Sequence, residues 1–374
     1  MPFVVIYAIL VFGDNMKNKI IKIFTLTLTL FLFSSCSNTK VLRTKEITDK
    51  LTQTAVVTKT DIKEIDDFKT FFKEFKADFT IPGLLEGIIP QGICYIGELD
   101  AYAVSGYYEK AAFPSMLMLI DADSKKFTKA FPLQNVDGNN YFGHAGGLAA
   151  SDNYIYITSE NTCYILSVDD LLKKENGNVI QFESNFKLNT KGSFACFDNG
   201  VLWTGDFIES SDKAREGASK ITTLTSGETF YAYCEGYKLK DGLPDVKKIN
   251  SENTGYIPDY ILAIPEQVQG MAFTPSGKII FSTSYGRKNN SKIYVYDDVL
   301  LTERAGIYTV DGTDIDLLAC DNSLLKETII APPMAEGIIQ GEKGQYIIFE
   351  SGAEKYRSHR GKYPTDTAFK GNIE

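Results

Sequence analysis

From residue 77 onward, short apolar and aromatic runs alternate with brief polar turns, and the runs follow a repeating order. A Gln-Gly or Glu-Gly pair opens a short apolar run and a turn follows. A β-branched and aromatic run then ends in small polar residues, and a Ser-x-aliphatic stretch closes on Asp. The clearest copy is VQGMAFTPSGKIIFSTSYGRKNNSKIYVYD, Val268 to Asp297. Short apolar runs bounded by Gly, Asn and Asp, rich in β-branched and aromatic residues, predict strands rather than helices.

Related units begin PQGICYIGELDAYAVSGYY at Pro90, GHAGGLAASDNYIYITSEN at Gly143, GSFACFDNGVLWTGDF at Gly192 and AEGIIQGEKGQYIIFESGAEKYR at Ala335. Their opening pairs, at Gln91, Gly146, Gly192, Gln269 and Glu336, lie roughly 45 to 80 residues apart, which is a propeller-like period lengthened by loops. Four short strands per unit make one blade. The prediction is an all-β chain, a five-bladed β-propeller over residues 77–374. The last unit lacks an outer strand of its own, and ADFTIPGLLEGIIPQG (Ala77 to Gly92) reads like the run into the fourth and fifth units. Phe79 to Pro82 is therefore expected to be the outermost strand of the last blade, closing the ring and covering its free edge.

The pattern changes upstream. Asp61 with Glu64 resembles a capping box, and Ile65, Phe68, Phe72 and Phe75 recur at helical spacing, so residues 61–76 are expected to form a short amphipathic helix. Residues 37–60 are polar and Thr/Lys-rich, as a flexible tether would be. Residues 1–36 are expected to be an export signal: MKNKIIKIFTLTLTLFLFSSCSN, Met16 to Asn38, has a basic start, an apolar run and small residues before Cys36. The run Leu32 to Cys36 resembles a bacterial lipobox, which implies lipidation of Cys36. The chain is then expected outside the cytoplasm in the cell envelope, membrane-anchored by its lipid, as a monomer.

The formal net charge is −9, and losing Lys17, Lys19 and Lys22 with the signal makes the mature chain more acidic. Nucleic-acid binding depends on neutralising phosphates, so that class of partner is excluded. Cys94, Cys163, Cys196, Cys234 and Cys320 show no zinc-type spacing, and an odd number cannot all pair internally. Free thiols packed on strands are expected, with one disulfide as the alternative.

The first strand of each blade lines a propeller's axis, so Gln91, His144, Gln269 and Glu336 are expected to converge there. They would form either a polar ligand site or a water-filled channel whose lining satisfies backbone groups. His144, in GHAGG, is one of two histidines and titrates near neutrality. FESGAEKYR is the densest polar group and places Glu350 at a strand end. Arg287 and Arg357 fit a two-pronged clamp for a carboxylate or phosphate, or else pair with carboxylates of neighbouring blades.

The fragments QGMAF…IIFSTSYGRKNNSKIYVYD and PQGICY…YAVSGYY resemble blades of five-bladed glutaminyl cyclases, and the chain from residue 77 resembles secreted or lipoprotein propellers of bacteria. The resemblance implies that Glu350 matches that family's strand-end carboxylate. Gluconolactonase-like propellers use a similar Glu-Gly glutamate as a metal ligand, which would make Glu336 a ligand for Ca²⁺ or Zn²⁺. The leading expectation is a binding module for a small polar ligand or an envelope protein, held by Gln91, Gln269, Arg287 and Arg357. The alternatives are a metal-dependent hydrolase or glutaminyl cyclase-like transferase, with His144 or Glu350 as general base, and a structural envelope protein.

Overall fold

The computed structural model describes residues 46–57, 62–218, 220–358 and 361–374. Residues Thr48–Glu374 form one compact unit. The export signal and Cys36 lie outside the described residues. No helix among those described is long and apolar enough to cross a membrane.

The expected helix is corrected. Asp61 is outside the described residues; single 3-10 turns at Ile62–Glu64 and Asp66–Phe68 lead into an α-helix of only six residues, Lys69–Glu74. Phe75 leaves it with extended geometry and begins strand β1, Phe75–Thr80. Phe71 and Phe75 stack at 5.0 Å, and Phe71 meets Phe369 edge-on at 5.3 Å. The aromatic run thus serves as a plug on the last sheet. Part of the expected tether is also docked: Gln53 donates to the carbonyls of Thr80 and Lys125, and the amides of Val56 and Val57 donate to Asp366. These residues thus belong to the same compact unit as the sheets, Thr48–Glu374.

The body is all-β and propeller-like. β2 (Ile88–Ile96), β3 (Ala101–Tyr108), β4 (Met116–Asp121) and β5 (Phe127–Gln134) form an antiparallel meander. The next comprises β6 (Gly147–Ala150), β7 (Tyr154–Ser159) and β8 (Thr162–Ser167), after which β9 (Ile180–Gln181) returns to β5 and β10 (Ser184–Lys187) completes it. β11 (Phe194–Asp198) and β12 (Val201–Gly205) open a third sheet. A small hairpin follows, β13 (Thr222–Thr223) with β14 (Thr229–Phe230); the sheet then continues through β15 (Ala232–Lys240), its short partner β16 (Leu243–Pro244) and β17 (Tyr260–Ile264). β18 (Val268–Phe273), β19 (Ile279–Thr283) and β20 (Ser291–Tyr296) begin the fourth. Before that sheet ends, β21 (Gly306–Val310) and β22 (Thr313–Ala319) cross back to the third, β22 running parallel to β17, and β23 (Leu325–Ala331) then completes the fourth. β24 (Ala335–Gly341), β25 (Gly344–Phe349) and β26 (Thr367–Gly371) form the last, with β1 outermost.

The expectation of five equivalent four-stranded blades is therefore corrected: three sheets have four strands, β9 adds a fifth to the first, and β16 with the returning hairpin enlarges the third to seven. The inner strands β2, β6, β11, β18 and β24 each touch the next, and β24 touches β2.

Two devices bring these inner strands together. The first is absence of a side chain: a Cβ on Gly147 would lie 2.4 Å from the Phe194 carbonyl carbon, and one on Gly270 would lie 2.4 Å from the Ile338 nitrogen. The second is a buried hydroxyl on the second strand that donates to the next inner strand. Ser105 Oγ reaches the Ala145 carbonyl at 2.8 Å, Thr158 Oγ1 that of Phe194 at 3.3 Å, and Ser282 Oγ that of Glu336 at 2.6 Å. Such bonds replace the water that a buried carbonyl would lose. Apolar clusters fill the space between sheets, and the five cysteines named above are free and buried in them.

Candidate functional site

The inner strands surround a funnel of about 790 Å³ at one end of the ring. Gln91, His144, Gln269, Glu336 and Glu350 all line it, as do Tyr107, Glu160, Lys191, Phe207, Tyr285, Lys355 and Tyr356. Each opening pair supplies one wall residue. In three of them, at Gln91, Gln269 and Glu336, the glycine that follows allows close approach of the backbones while the Gln or Glu lines the cavity.

At one wall Gln91 Nε2 donates to Glu350 Oε2 at 3.1 Å and Gln269 Nε2 donates to Glu336 Oε1 at 3.2 Å. Glu336 is buried and Glu350 half-buried. Burial pushes the Glu336 carboxyl well above the usual carboxylate range, and the neighbouring Glu350 charge pushes it further. Burial also raises Glu350, to about 7, against the opposing effect of bonds from Tyr356, Gln91 and Glu336 and of the nearby Lys355 charge. Two carboxyls this close cannot both ionise readily, so near neutral pH they hold one proton between them. Glu336, the more deeply buried of the two, is the one held more strongly toward its protonated form.

A cation and two phenols complete this wall. Lys355 Nζ donates to Tyr107 Oη at 3.4 Å and lies 5.0 Å from the Tyr356 ring centroid. Burial and the Glu350 charge raise Tyr107 to about 12 and hold Tyr356 well above the ordinary phenol value. Both phenols therefore remain hydrogen-bond donors at physiological pH. Pairing an acid with a base in one cavity gives the wall the means to give and accept a proton at neutral pH.

The other expected residues lie apart from this acid pair. His144 stands exposed at the rim, edge-on to Tyr107 at 4.6 Å. The arginine clamp is corrected: Arg357 Nη1 donates to the carbonyls of Leu84 and Gly352, and Arg287 lies over the Tyr356 ring at 5.0 Å, neither lining the funnel. Lys355 and Lys191 are the cations that do line it. Lys355 belongs to the FESGAEKYR cluster, two residues before Arg357; a short helix, Glu354–Arg357, turns the lysine inward and Arg357 to the backbone. The Ca²⁺ or Zn²⁺ site expected at Glu336 is not supported by its surroundings. Its carboxyl is engaged by Gln269 and Glu350, and no group of three or more His, Cys, Asp or Glu suited to a metal gathers among the described residues.

No protein-family model matches the chain, and no curated protein matches it. Among solved structures, it is similar to Myxococcus xanthus glutaminyl cyclase at 12% identity and a TM-score of 0.41, over 80% of this chain and 97% of that one. It is also similar to the PQQ-bound aldose sugar dehydrogenase from Streptomyces coelicolor, at 13% identity and a TM-score of 0.43, over 80% of this chain and 98% of that one.

Proposed function

We propose that this chain is a lipid-anchored, extracytoplasmic β-propeller whose funnel binds a small polar ligand. The observation that carries the reading is the convergence of Gln91, Gln269, Glu336, Glu350 and Lys355 on one cavity with aromatic walls. A few fixed polar groups set among aromatic surfaces, in about 790 Å³, have the character of a small-molecule site. The Glu350 oxygen takes a ligand N–H or O–H, and Lys355 with the tyrosine hydroxyls takes an oxygen. Anchoring rests on the Leu32–Cys36 sequence and the basic, apolar leader before it.

The test is a thermal-shift screen of polar metabolites, amino acids and short peptides, followed by calorimetry on native protein and Glu350→Gln. A ligand bound by the native chain and lost at least tenfold in the variant supports the reading. Absence of any ligand, together with undiminished partner capture from envelope extracts, would favour the structural envelope protein instead.

A second reading, a propeller enzyme using general acid–base chemistry, is favoured by the single proton held between Glu336 and Glu350. In that case Glu350 is the base, Glu336 the acid and Tyr356 a positioning residue. The discriminating result is Glu350→Gln retaining ligand affinity while turnover of that ligand is lost.

A further inference from the structure

The strands second from the axis, β3, β7, β12, β19 and β25, all end at the funnel, and the residue at or just past each end lines it: Tyr107, Glu160, Phe207, Tyr285 and Glu350 in sheet order. The inner strands touch in that same order, so the first sheet stands across the funnel from the third and fourth, and the second and fifth flank it on either side. Aromatic residues therefore occupy two opposite sides, Tyr107 on one and Phe207 with Tyr285 on the other. A carboxyl stands on each of the two sides between them. Each carboxyl side also carries a cation: Lys355 lies near Glu350, and the Lys191 carbonyl accepts from the Asn161 amide at 3.1 Å, beside Glu160.

The aromatic sides are held in place. Tyr285 is 48% exposed, yet its hydroxyl donates to Glu209 and its ring meets that of Phe207 at 6.2 Å, tilted by 47°. The Phe207 amide donates to Ser193 Oγ at 3.1 Å, and across the funnel His144 meets the Tyr107 ring edge-on. An aromatic ring fixed in an open position keeps in water an apolar face that a ligand ring would cover.

We propose that the ligand of this funnel is a planar heteroaromatic compound with N–H and C=O groups on its edge. The inference rests on the funnel being the ligand site. The flat faces of such a ring lie toward Tyr107 and toward Phe207 and Tyr285, and its edges reach the two sides that pair a carboxyl with a lysine. There a carboxylate accepts the ring N–H and an ammonium donates to the ring carbonyl, both charge-assisted bonds. An aliphatic polar chain would serve the same polar groups but leave the aromatic faces uncovered. A puckered sugar ring covers two opposed aromatic sides less fully than a flat one.

The experiment is calorimetric titration of the full chain with uracil and with hypoxanthine, beside 5,6-dihydrouracil, which keeps the N–H and C=O groups of uracil on a puckered ring, and beside methyl glucoside. Expected is saturable binding of the two heteroaromatics, with uracil about tenfold or more tighter than dihydrouracil. Tyr285→Ala and Phe207→Ala should each weaken it by about fivefold or more, the ordinary loss when a stacking ring is removed. Glu350→Gln should weaken it too, and the ultraviolet band of the ligand should lose intensity on binding to the native chain but not to Tyr285→Ala. Phe142→Ala, an equally exposed ring that does not line the funnel, should bind as the native chain does. Should Phe207→Ala not fold, Tyr285→Ala, whose side chain is exposed, carries the test. Dihydrouracil or methyl glucoside bound as tightly as uracil, weakened by Glu350→Gln but not by Tyr285→Ala, overturns this inference and leaves the funnel reading standing. Binding of uracil unchanged in Tyr285→Ala, Phe207→Ala and Glu350→Gln places the compound outside the funnel and overturns it as well. No saturable heat from either heteroaromatic also overturns it, and the wider screen given above then decides the funnel reading on its own.

Discussion

Gln91 and Glu350, 259 residues apart in the chain, meet at 3.1 Å across the junction between the first and last sheets. The contact exists only because the ring closes. It ties the candidate site to the same inner strands that hold the propeller together.

The carboxyl pair predicts an inverted pH dependence of stability. Folded-state values raised above the unfolded ones mean that the native state binds the extra proton, so the contribution is complete below about pH 4.5 and is lost as pH rises through about 7. Urea unfolding should show stability falling between pH 5 and 8, by up to roughly 3 kcal/mol from Glu350. Glu350→Gln and Glu336→Gln should flatten that slope and be more stable than the native chain at pH 8. A native profile that rises over this interval and is unchanged in the variants would refute the shared proton.

Ser282→Ala removes the donor to the Glu336 carbonyl while leaving the volume nearly unchanged. Stability should fall by about 1–2 kcal/mol, the cost of an unpaired buried carbonyl. The alkaline loss of stability described above should persist, because the carboxyl pair itself is intact. Chemical unfolding at pH 5 and pH 8 reads both effects.

Gly270→Ala forces a Cβ to within 2.4 Å of the Ile338 backbone nitrogen, where neither strand can yield without opening the ring. The variant should be destabilised by roughly 3 kcal/mol or more, or fail to fold. Gly97→Ala, with nothing within 4 Å of the new carbon, is the control and should shift the unfolding midpoint little. Equal effects in the two would count against the close approach at the axis.

Phe75→Ala empties the space above Gly371, where the ring lies 2.5 Å from a would-be Cβ, and loosens the strand that finishes the last sheet. The expected loss is about 3–5 kcal/mol. Because β1 carries the free edge, hydrogen exchange should accelerate first in Thr367–Gly371. Uniform acceleration across all sheets would mean that β1 holds the whole ring, not its own sheet.

Burial raises the thiols of Cys94, Cys163, Cys196, Cys234 and Cys320. In the folded chain these five should resist a maleimide at pH 7 and react together once denaturant unfolds it. Labelling of any one of them under native conditions would show local opening of its sheet.

Much of the framework was legible because it is local. Alternating apolar residues and Gly-containing turns mark strands wherever they sit, and the likeness of ADFTIPG to later units pointed to an N-terminal strand in the last sheet. The returning hairpin was missed although it carries a signal: Asp311-Gly312, both at positive φ, joins two strands in the manner of a tight hairpin turn. Its exposed, alternating strands lacked the Gln-Gly opening on which the units were aligned. The expected helix runs too long because Phe72 and Phe75, which suit a helical face, are equally suited to cap a sheet.

By itself the sequence determined the strand grammar, the repeated opening pairs that bring Gln91, Gln269 and Glu336 to the axis, and the polar cluster that holds Glu350. Only the tertiary structure decided that Glu336 and Glu350 are buried side by side, each with its carboxyl raised, and that Lys355 and not the arginines faces the funnel. The reason is physical. A strand follows from neighbours along the chain, whereas burial, proton sharing and unsatisfied hydrogen bonds depend on distances between residues that the ring brings together from opposite ends of the sequence.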